Sequence, residues 1–253
     1  MMALSTETTA FVLVPGSFSP ASFYHKVTSL LQGKGYAVHE TDLKSVNDGT
    51  GAPVTMSEDA EHINSVITRL ADQGQDVVLV MNSYSGIPGT ESVKGLSKSE
   101  REVANKKGAL VALVYLSSFV APIGSSINKL MEGRMPEATQ APTDYLKLDP
   151  AKDGEYVFSH LDAADKKHYA LQLKQHSSIT FDNELTYAGY MAVPATYLIC
   201  TDDLIIPPQY AHQMIDAAIE QGAKITKKEI NSDHCPMISH PEEVVDVLLE
   251  AAA

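Results

Sequence analysis

Three residues of types that act together in nucleophilic catalysis are well separated along the chain: Ser83, Asp203 and His234. Each follows a strand-like segment of the sequence, at residues 77–81, 195–200 and 224–230 respectively. A histidine beside a serine hydroxyl takes its proton and returns it to a leaving group, while a carboxylate fixes the imidazole tautomer and stabilises its charged form. The sequence therefore predicts a serine nucleophile, a histidine base and an orienting aspartate.

The segment around Ser83 has the pattern of a buried strand that breaks sharply into a helix. Four consecutive branched residues at 77–80 precede it, and small residues follow it. Such a turn exposes the serine hydroxyl, and the backbone N–H of Tyr84 then points to where an oxyanion forms at the helix N-terminus. The glycines usual two residues to either side of such a serine are replaced here by Met81 and Ser85. The alternative is an ordinary serine that begins a helix.

A turn rich in Gly and Pro at residues 15–20 follows the first predicted strand. Its Gly16 lets the backbone approach a substrate closely. The second oxyanion donor is expected from the backbone of Gly16, Ser17 and Phe18. Because parallel strands end at one edge of their sheet, this turn and Ser83 are predicted to lie at the same edge.

Strand-like and helix-like segments alternate along the chain, which predicts parallel strands joined by right-handed crossovers. Thr55 with Glu58 forms a capping-box pattern, and Ser239 with Glu242 is interpreted as a second one at the start of the last helix. The predicted fold class is α/β, with one domain over residues 1–253 and a mostly parallel sheet flanked by helices.

No long apolar strand appears between about residues 122 and 194, and this stretch is interpreted as an inserted lid of short helices and loops. An aromatic-rich lid indicates an apolar pocket and a small-molecule apolar substrate with an apolar or aromatic acyl or alcohol portion. Alternatively, these rings only pack the lid onto the body of the domain. His176 is a candidate substrate contact in this stretch. The aromatic residues here are Tyr145, Tyr156, Phe158, Tyr169, Phe181, Tyr187 and Tyr190.

The composition argues against several classes of function. With 32 acidic against 19 basic residues, the net charge of -13 repels nucleic acid and anionic membrane surfaces. The longest apolar run, at residues 109–116, is too short to span a bilayer, and the first residues lack a signal-peptide pattern. Cys200 and Cys235 suggest neither a disulfide framework nor a metal site. We therefore expect a cytoplasmic protein with no metal or organic cofactor, either a monomer or a homodimer.

These motifs together resemble the α/β-hydrolase superfamily, and within it the compact plant methyl-ester esterase and hydroxynitrile lyase group with related fungal and bacterial hydrolases. The matching segments span nearly the whole chain, at residues 11–16, 81–86, 117–119, 197–203 and 233–237. The resemblance implies the α/β-hydrolase fold, whose triad follows the chain order serine, acid, histidine. It thus implies the same three residues, Ser83, Asp203 and His234.

Asp202 is the alternative to Asp203 for the acid, because both aspartates leave the same predicted strand. We favour Asp203 because it stands four residues before Pro207, which is the spacing usual in this fold. Asp202 is then interpreted as a turn residue.

The resemblance implies ester hydrolysis through an acyl-enzyme on Ser83. Hydroxynitrile lyases of the group carry a threonine in the first turn and a lysine directly after the histidine, where this sequence has Gly16 and Cys235. Epoxide hydrolases and haloalkane dehalogenases of the fold place aspartate at the elbow, so Ser83 argues against both. Two alternatives are a non-hydrolytic lyase or cyclase on the same triad, and a ligand-binding protein without turnover, against which the intact triad argues.

Overall fold

The computed structural model describes residues 8–131 and 144–253 of the chain. The strands in these residues are β1 (Thr9–Val14), β2 (Ala37–Glu40), β3 (Val46–Asn47), β4 (Asp76–Ser83), β5 (Leu110–Ser118), β6 (Tyr145–Leu146), β7 (Gln175–Ser177), β8 (Ala195–Cys200) and β9 (Ile225–Ile230). Six of them form a sheet in the order β2-β1-β4-β5-β8-β9, and every neighbouring pair is parallel. This sheet confirms the predicted α/β class.

Helices cover both faces of the main sheet. They are α1 (His25–Gly33), α2 (Met56–Asp72), α3 (Gly86–Glu91), α4 (Lys98–Val103), α5 (Ile127–Leu130), α6 (Pro150–Val157), α7 (Ala163–Ala170), α8 (Pro208–Glu220), α9 (Pro236–Ser239) and α10 (Pro241–Ala251). Ala10, Val12 and Val14 of β1 pack into the hydrophobic core on the side of α2 and α8. Phe11 and Leu13, which alternate with them, pack into the core on the side of α1 and α10. Because both faces are covered, the strands need continuous apolar runs rather than alternating ones.

Strand β4 lies near the middle of the sheet, between β1 and β5. All of its residues after Asp76 are buried, so the strand that carries Ser83 is held by packing on both faces and by neighbours on both edges. Since the strands of the main sheet are parallel, the segments after β1, β4, β8 and β9 meet at one edge. The sheet therefore brings together the residues that the sequence singled out.

Residues 122–194, which we call the inserted segment, connect β5 to β8. Their described part contains α5 to α7 and two short strands, β6 and β7, which form an antiparallel three-stranded sheet with β3. The sequence predicted only helices and loops here, because strands of two or three residues are too short for a recognisable alternation. Residues 132–143 of the predicted lid lie outside the described residues.

The two predicted capping boxes have different outcomes. Thr55 and Glu58 form the expected reciprocal pair at the start of α2. The prediction for Ser239 is wrong, because α10 begins at Pro241 with His240 at its N-cap and no side-chain cap. The Ser239 hydroxyl instead donates to Asp233 Oδ1 at 2.7 Å, next to the loop that carries His234.

Candidate active site

The side chains of Ser83, His234 and Asp203 form one hydrogen-bonded chain. His234 Nε2 lies 2.8 Å from Ser83 Oγ, and His234 Nδ1 lies 2.7 Å from Asp203 Oδ2. A carboxylate only accepts hydrogen bonds, so a neutral imidazole places its single proton on Nδ1 and leaves Nε2 as the acceptor for the serine hydroxyl. This is the arrangement in which the histidine is ready to receive the Ser83 proton.

The Asp203 carboxylate is buried and surrounded by donors. Its Oδ1 accepts the backbone N–H groups of Ile205 at 2.7 Å and Ile206 at 3.0 Å, and its Oδ2 accepts the Ser117 hydroxyl in addition to His234. Burial alone would raise the pKa of Asp203, but the charge interaction with His234 and these hydrogen bonds outweigh it and lower the pKa. The carboxylate is thus kept ionised beside the imidazole.

The neighbouring Asp202 points elsewhere. Its side chain is 52% exposed, and its Oδ2 lies 3.1 Å from His160 Nε2 and 2.9 Å from Asn231 Nδ2. Of the two aspartates that follow β8, only Asp203 contacts His234 within the described residues. The geometry therefore agrees with the choice of Asp203 as the candidate acid.

The backbone at Ser83 has a φ of 55°, in the left-handed region that residues with a side chain rarely adopt. The turn needs small neighbours. A Cβ on Gly16 would lie 2.8 Å from Ser83 Cβ, and one on Gly86 would lie 2.3 Å from the Phe119 carbonyl oxygen. Glycine at position 16 lets the turn after β1 approach the serine, and glycine at position 86 lets the first turn of α3 approach the end of β5 and Phe119.

Both unusual residues beside Ser83 have a place in the packing. Met81 is fully buried and fills space that Gly89 leaves open, because a Cβ on Gly89 would lie 2.2 Å from Met81 Sδ. The Ser85 hydroxyl is buried within hydrogen-bond distance of the carbonyl oxygens of Val14 at 3.0 Å and Asn82 at 2.8 Å. A methionine before the serine is thus compatible with the sharp turn because the complementary glycine lies in α3.

We expect Gly89→Ala to destabilise the fold by about 1–3 kcal/mol through overpacking against Met81. Urea denaturation followed by circular dichroism would measure the change in free energy of unfolding. Gly33→Ala is the matched control, since a Cβ there meets nothing within 4 Å. If Met81 is the cause, the cost in the Met81→Ala/Gly89→Ala double variant will be less than the sum of the single costs. Strict additivity would contradict the packing account.

The backbone donors expected for an oxyanion lie beside Ser83. Among the hydrogen bonds that the described residues form, none uses the N–H groups of Ser17, Phe18 or Tyr84. The carbonyl oxygen of Ser83, in the same planar peptide as the Tyr84 N–H, accepts the Ser118 hydroxyl at 2.6 Å and the Phe119 N–H at 3.1 Å. Since the peptide unit is rigid, these two bonds also orient the Tyr84 N–H.

A cavity of about 490 Å³ opens above Ser83 and His234. Gly16, Ser17 and Tyr84 belong to its wall together with Cys235, while Lys152 supplies a cation from α6. Most of the remaining wall is apolar, and it includes Phe18, Phe119, Ile127, Leu148, Val157 and Phe181. Helices α5 and α6 of the inserted segment therefore form part of the cavity together with the strand ends.

His176, a candidate substrate contact from the sequence, does not reach this cavity. It is completely buried, its Nε2 lies 2.7 Å from Thr180 Oγ1, and its ring stacks on Phe181 with centroids 5.1 Å apart. Burial lowers the pKa of His176 to about 3, so the ring is neutral at physiological pH. We correct the candidate role to that of a packed core histidine.

Sequence reasoning missed two polar side chains that hold the site. Ser117 donates to Asp203 Oδ2, and Asn82 Nδ2 donates to the His234 carbonyl oxygen at 3.1 Å and the Leu116 carbonyl oxygen at 2.8 Å. The available signal was position, since Ser117 lies at the end of β5 and Asn82 directly precedes the candidate nucleophile. Residue type alone did not distinguish either from an ordinary polar strand end.

Residues 8–131 and 144–253 contain no group of three or more His, Cys, Asp or Glu side chains arranged to hold a metal ion. None of the helices there is both long and apolar enough to cross a membrane.

The parallel sheet with helices on both faces and a serine at the sharp turn after β4 defines the class of protein as an α/β hydrolase. The chain belongs to the Alpha/beta hydrolase family, whose model matches residues 11–247. The match confirms the superfamily that the sequence motifs resemble.

Comparison with known proteins gives esterase-like relatives. Probable hydrolase R7 of Phoma sp. is 31% identical over 244 residues, covering 95% of this chain and 97% of that protein. Methylesterase 1 of Arabidopsis thaliana is 24% identical over 263 residues, covering 96% of this chain and 95% of that protein. The crystal structure of polyneuridine aldehyde esterase matches with a TM-score of 0.75 and 19% identity, covering 97% of this chain and all 100% of that one. The protein is thus an α/β-hydrolase enzyme with hydrolase and methylesterase relatives.

Proposed function

We propose that the protein is a serine hydrolase that cleaves a small or medium apolar carboxylic ester or lactone through an acyl-enzyme on Ser83. The observation that carries this proposal is the continuous chain from Ser83 Oγ to His234 Nε2 at 2.8 Å and from His234 Nδ1 to Asp203 Oδ2 at 2.7 Å. Ser83 and His234 of this hydrogen-bonded series lie at the floor of a cavity whose wall is largely apolar. The methylesterase relatives support the ester bond as the target.

In the acylation step, His234 Nε2 accepts the Ser83 proton as the serine oxygen attacks the ester carbonyl. The negative charge on the tetrahedral carbonyl oxygen is stabilised by the Tyr84 N–H and by backbone N–H groups of the turn at Gly16, Ser17 and Phe18. His234 then gives the proton to the departing alcohol oxygen, and the carbon–oxygen bond of the ester breaks. Asp203 remains ionised and stabilises the imidazolium while it exists.

In the deacylation step, water enters the place vacated by the alcohol and loses its proton to His234. The resulting hydroxide attacks the acyl carbonyl, the bond to Ser83 Oγ breaks, and His234 returns the proton to the serine. We propose that the inserted segment acts as a lid that sets substrate size, because much of the apolar wall belongs to it: Ile127, Met131, Leu148, Val157, Leu173 and Phe181. Such a wall favours an apolar acyl or alcohol portion through burial of its surface.

Cyanohydrin cleavage is the less favoured chemistry. A lyase of that type would need a cation directly after the histidine to hold the cyanide leaving group, and Cys235 occupies that position. Burial and the negative charges of Asp233 and Asp203 raise the pKa of the Cys235 thiol, so it stays neutral and supplies no positive charge.

The proposal is tested by labelling the protein with a fluorophosphonate probe, which reacts with a serine activated by a neighbouring base. We expect one modified residue, Ser83, identified by mass spectrometry of the digested protein. Ser83→Ala is expected to lose the label completely. Ser29→Ala is the matched control, because its hydroxyl is exposed and bonded within α1. It should be labelled like the wild type.

An unlabelled wild-type protein that is shown to be folded would contradict an activated Ser83. Labelling at another residue would contradict the assignment of the nucleophile. A labelled Ser83 without turnover of any ester or lactone would instead favour the non-hydrolytic alternative on the same three residues.

A further inference from the structure

Asp59 is a completely buried carboxyl group that the proposed reaction does not use. It lies in the first turns of α2, and its Oδ1 accepts the Ser45 N–H at 3.0 Å. Its Oδ2 accepts the Ser45 hydroxyl at 2.5 Å and the Tyr84 hydroxyl at 3.1 Å. A buried charge is costly unless several donors surround it, so the charged form of Asp59 depends on these bonds from Ser45 and Tyr84.

The contact to Tyr84 leads directly to the candidate active site. Tyr84 follows the candidate nucleophile, and its own N–H is the proposed oxyanion donor. Its side chain is buried in the core, and only 1% of the residue is exposed. The ring packs edge-on against His176 with centroids 4.7 Å apart and against Phe181 at 5.8 Å. The tyrosine is thus clamped at its hydroxyl by α2 and at its ring by the inserted segment.

We propose that Asp59 is a positioning residue, which acts through the Tyr84 hydroxyl to fix the peptide group whose N–H stabilises the oxyanion on the substrate. The inference rests on the proposed function and extends it to a part of the fold outside the cavity. A donor contributes fully only when it is already aimed at the place where charge develops. Asp59 fixes the orientation of the Tyr84 N–H from one side of the peptide group, through its hydrogen bond with the Tyr84 hydroxyl.

The other side of the same peptide is already held. Its carbonyl oxygen, on Ser83, accepts the Ser118 hydroxyl and the Phe119 N–H. These two bonds hold the carbonyl end of the peptide group. The N–H end is then restrained by the Tyr84 side chain, which is attached to the next Cα. The φ of 55° at Ser83 makes that restraint necessary, because a strained turn relaxes unless its surroundings determine it.

The protonation states fit this role. Burial raises the pKa of Asp59 to about 6, although hydrogen bonds from Ser45 and Tyr84 oppose the rise. The carboxyl is therefore largely ionised at pH 7.5 and accepts from its donors. Burial and the charge of Asp59 raise the pKa of Tyr84 well above its ordinary value, so its hydroxyl keeps the proton that it donates.

The test compares Tyr84→Phe and Asp59→Asn with the wild type at pH 7.5. Tyr84→Phe removes the hydroxyl and leaves the ring, and Asp59→Asn keeps the shape of the side chain while it removes the charge. We expect each to lower kcat for an ester by about tenfold to a hundredfold, with KM changed less than about threefold, because positioning acts on the transition state. The rate constant of fluorophosphonate labelling at Ser83 should fall similarly. The double variant should be no slower than the worse single variant, since both changes break one connection.

Tyr115→Phe is the matched control. Tyr115 is another fully buried tyrosine on the main sheet, and its hydroxyl lies 2.7 Å from Thr90 Oγ1, away from the cavity. Removal of the Tyr115 hydroxyl should lower the melting temperature about as much as Tyr84→Phe does. It should leave kcat and the rate constant of labelling unchanged. This comparison separates loss of a buried hydrogen bond from loss of positioning.

The outcomes also separate this inference from the proposed function. If the wild type is labelled at Ser83 but Tyr84→Phe and Asp59→Asn keep the wild-type kcat and labelling rate, Asp59 only supports the fold and this inference alone is wrong. If the wild type is not labelled at all, the proposed function fails and the inference fails with it.

Discussion

Replacement of His234 by glutamine is expected to lower kcat for an activated ester by about a millionfold, the scale seen when a catalytic base is removed. Glutamine has a donor and an acceptor but cannot take the Ser83 proton at neutral pH. The loss should appear in kcat rather than in KM, because the apolar wall that binds substrate is unchanged. Hydrolysis of p-nitrophenyl butyrate followed by absorbance measures both parameters.

His212→Gln is the control for this variant. His212 lies on α8, and its Nε2 is 3.3 Å from Glu229 Oε1 in an exposed contact, of a kind that contributes little to stability. We expect wild-type kinetics from it. Activity retained in His234→Gln within about a hundredfold of the wild type would mean that another group accepts the serine proton, and the proposed mechanism would be wrong.

Asp203→Asn is expected to lower kcat by about ten-thousandfold, because the amide favours the wrong imidazole tautomer. The carboxylate accepts from His234 Nδ1, from Ser117 and from two backbone N–H groups. An amide offers only one oxygen to these donors. When its NH₂ faces Nδ1, the imidazole proton moves to Nε2, and the acceptor for the Ser83 hydroxyl is lost.

Asp202→Asn is the matched change one residue earlier in the chain. Asp202 is half exposed and hydrogen-bonded to His160 and Asn231. The kcat of the Asp202→Asn variant should therefore stay within about threefold of the wild type, as for most surface substitutions. A large loss in Asp202→Asn with little loss in Asp203→Asn would contradict the assignment of the acid. The pair therefore tests the prediction made from the spacing to Pro207.

The fold and the meeting of the three candidate residues were accessible from the sequence because a simple rule connects them. Side chains that directly follow parallel strands gather at one edge of the sheet, so their chain positions are sufficient to predict that they meet. The choice of Asp203 over Asp202 also had a local basis. The Asp203 carboxylate accepts the N–H groups of Ile205 and Ile206, which form the turn that ends before Pro207.

Other features depend on contacts that a local pattern does not show. Asp59 lies beside a capping box, where an acidic residue is typical of an exposed first helical turn, and only the fold reveals that it faces Ser45 and Tyr84. Ser239 was predicted to cap α10, but tertiary contact with Asp233 takes its hydroxyl. The Met81 side chain occupies the space that Gly89 leaves free. Because the two residues belong to different elements, β4 and α3, neither one alone predicts this packing.

The position of His234 after the edge strand β9 has a consequence for the chain during synthesis. Ser83 and the imidazole that would activate it are separated by 151 positions, and three strands of the main sheet, β5, β8 and β9, lie between them in the chain. A ribosome-bound chain that has emerged only as far as β5 carries the serine without its base, and such a hydroxyl is a poor nucleophile. The Ser83 hydroxyl would therefore become reactive late, after β8 and β9 have joined the sheet. Chains truncated before His234 would carry an unactivated serine.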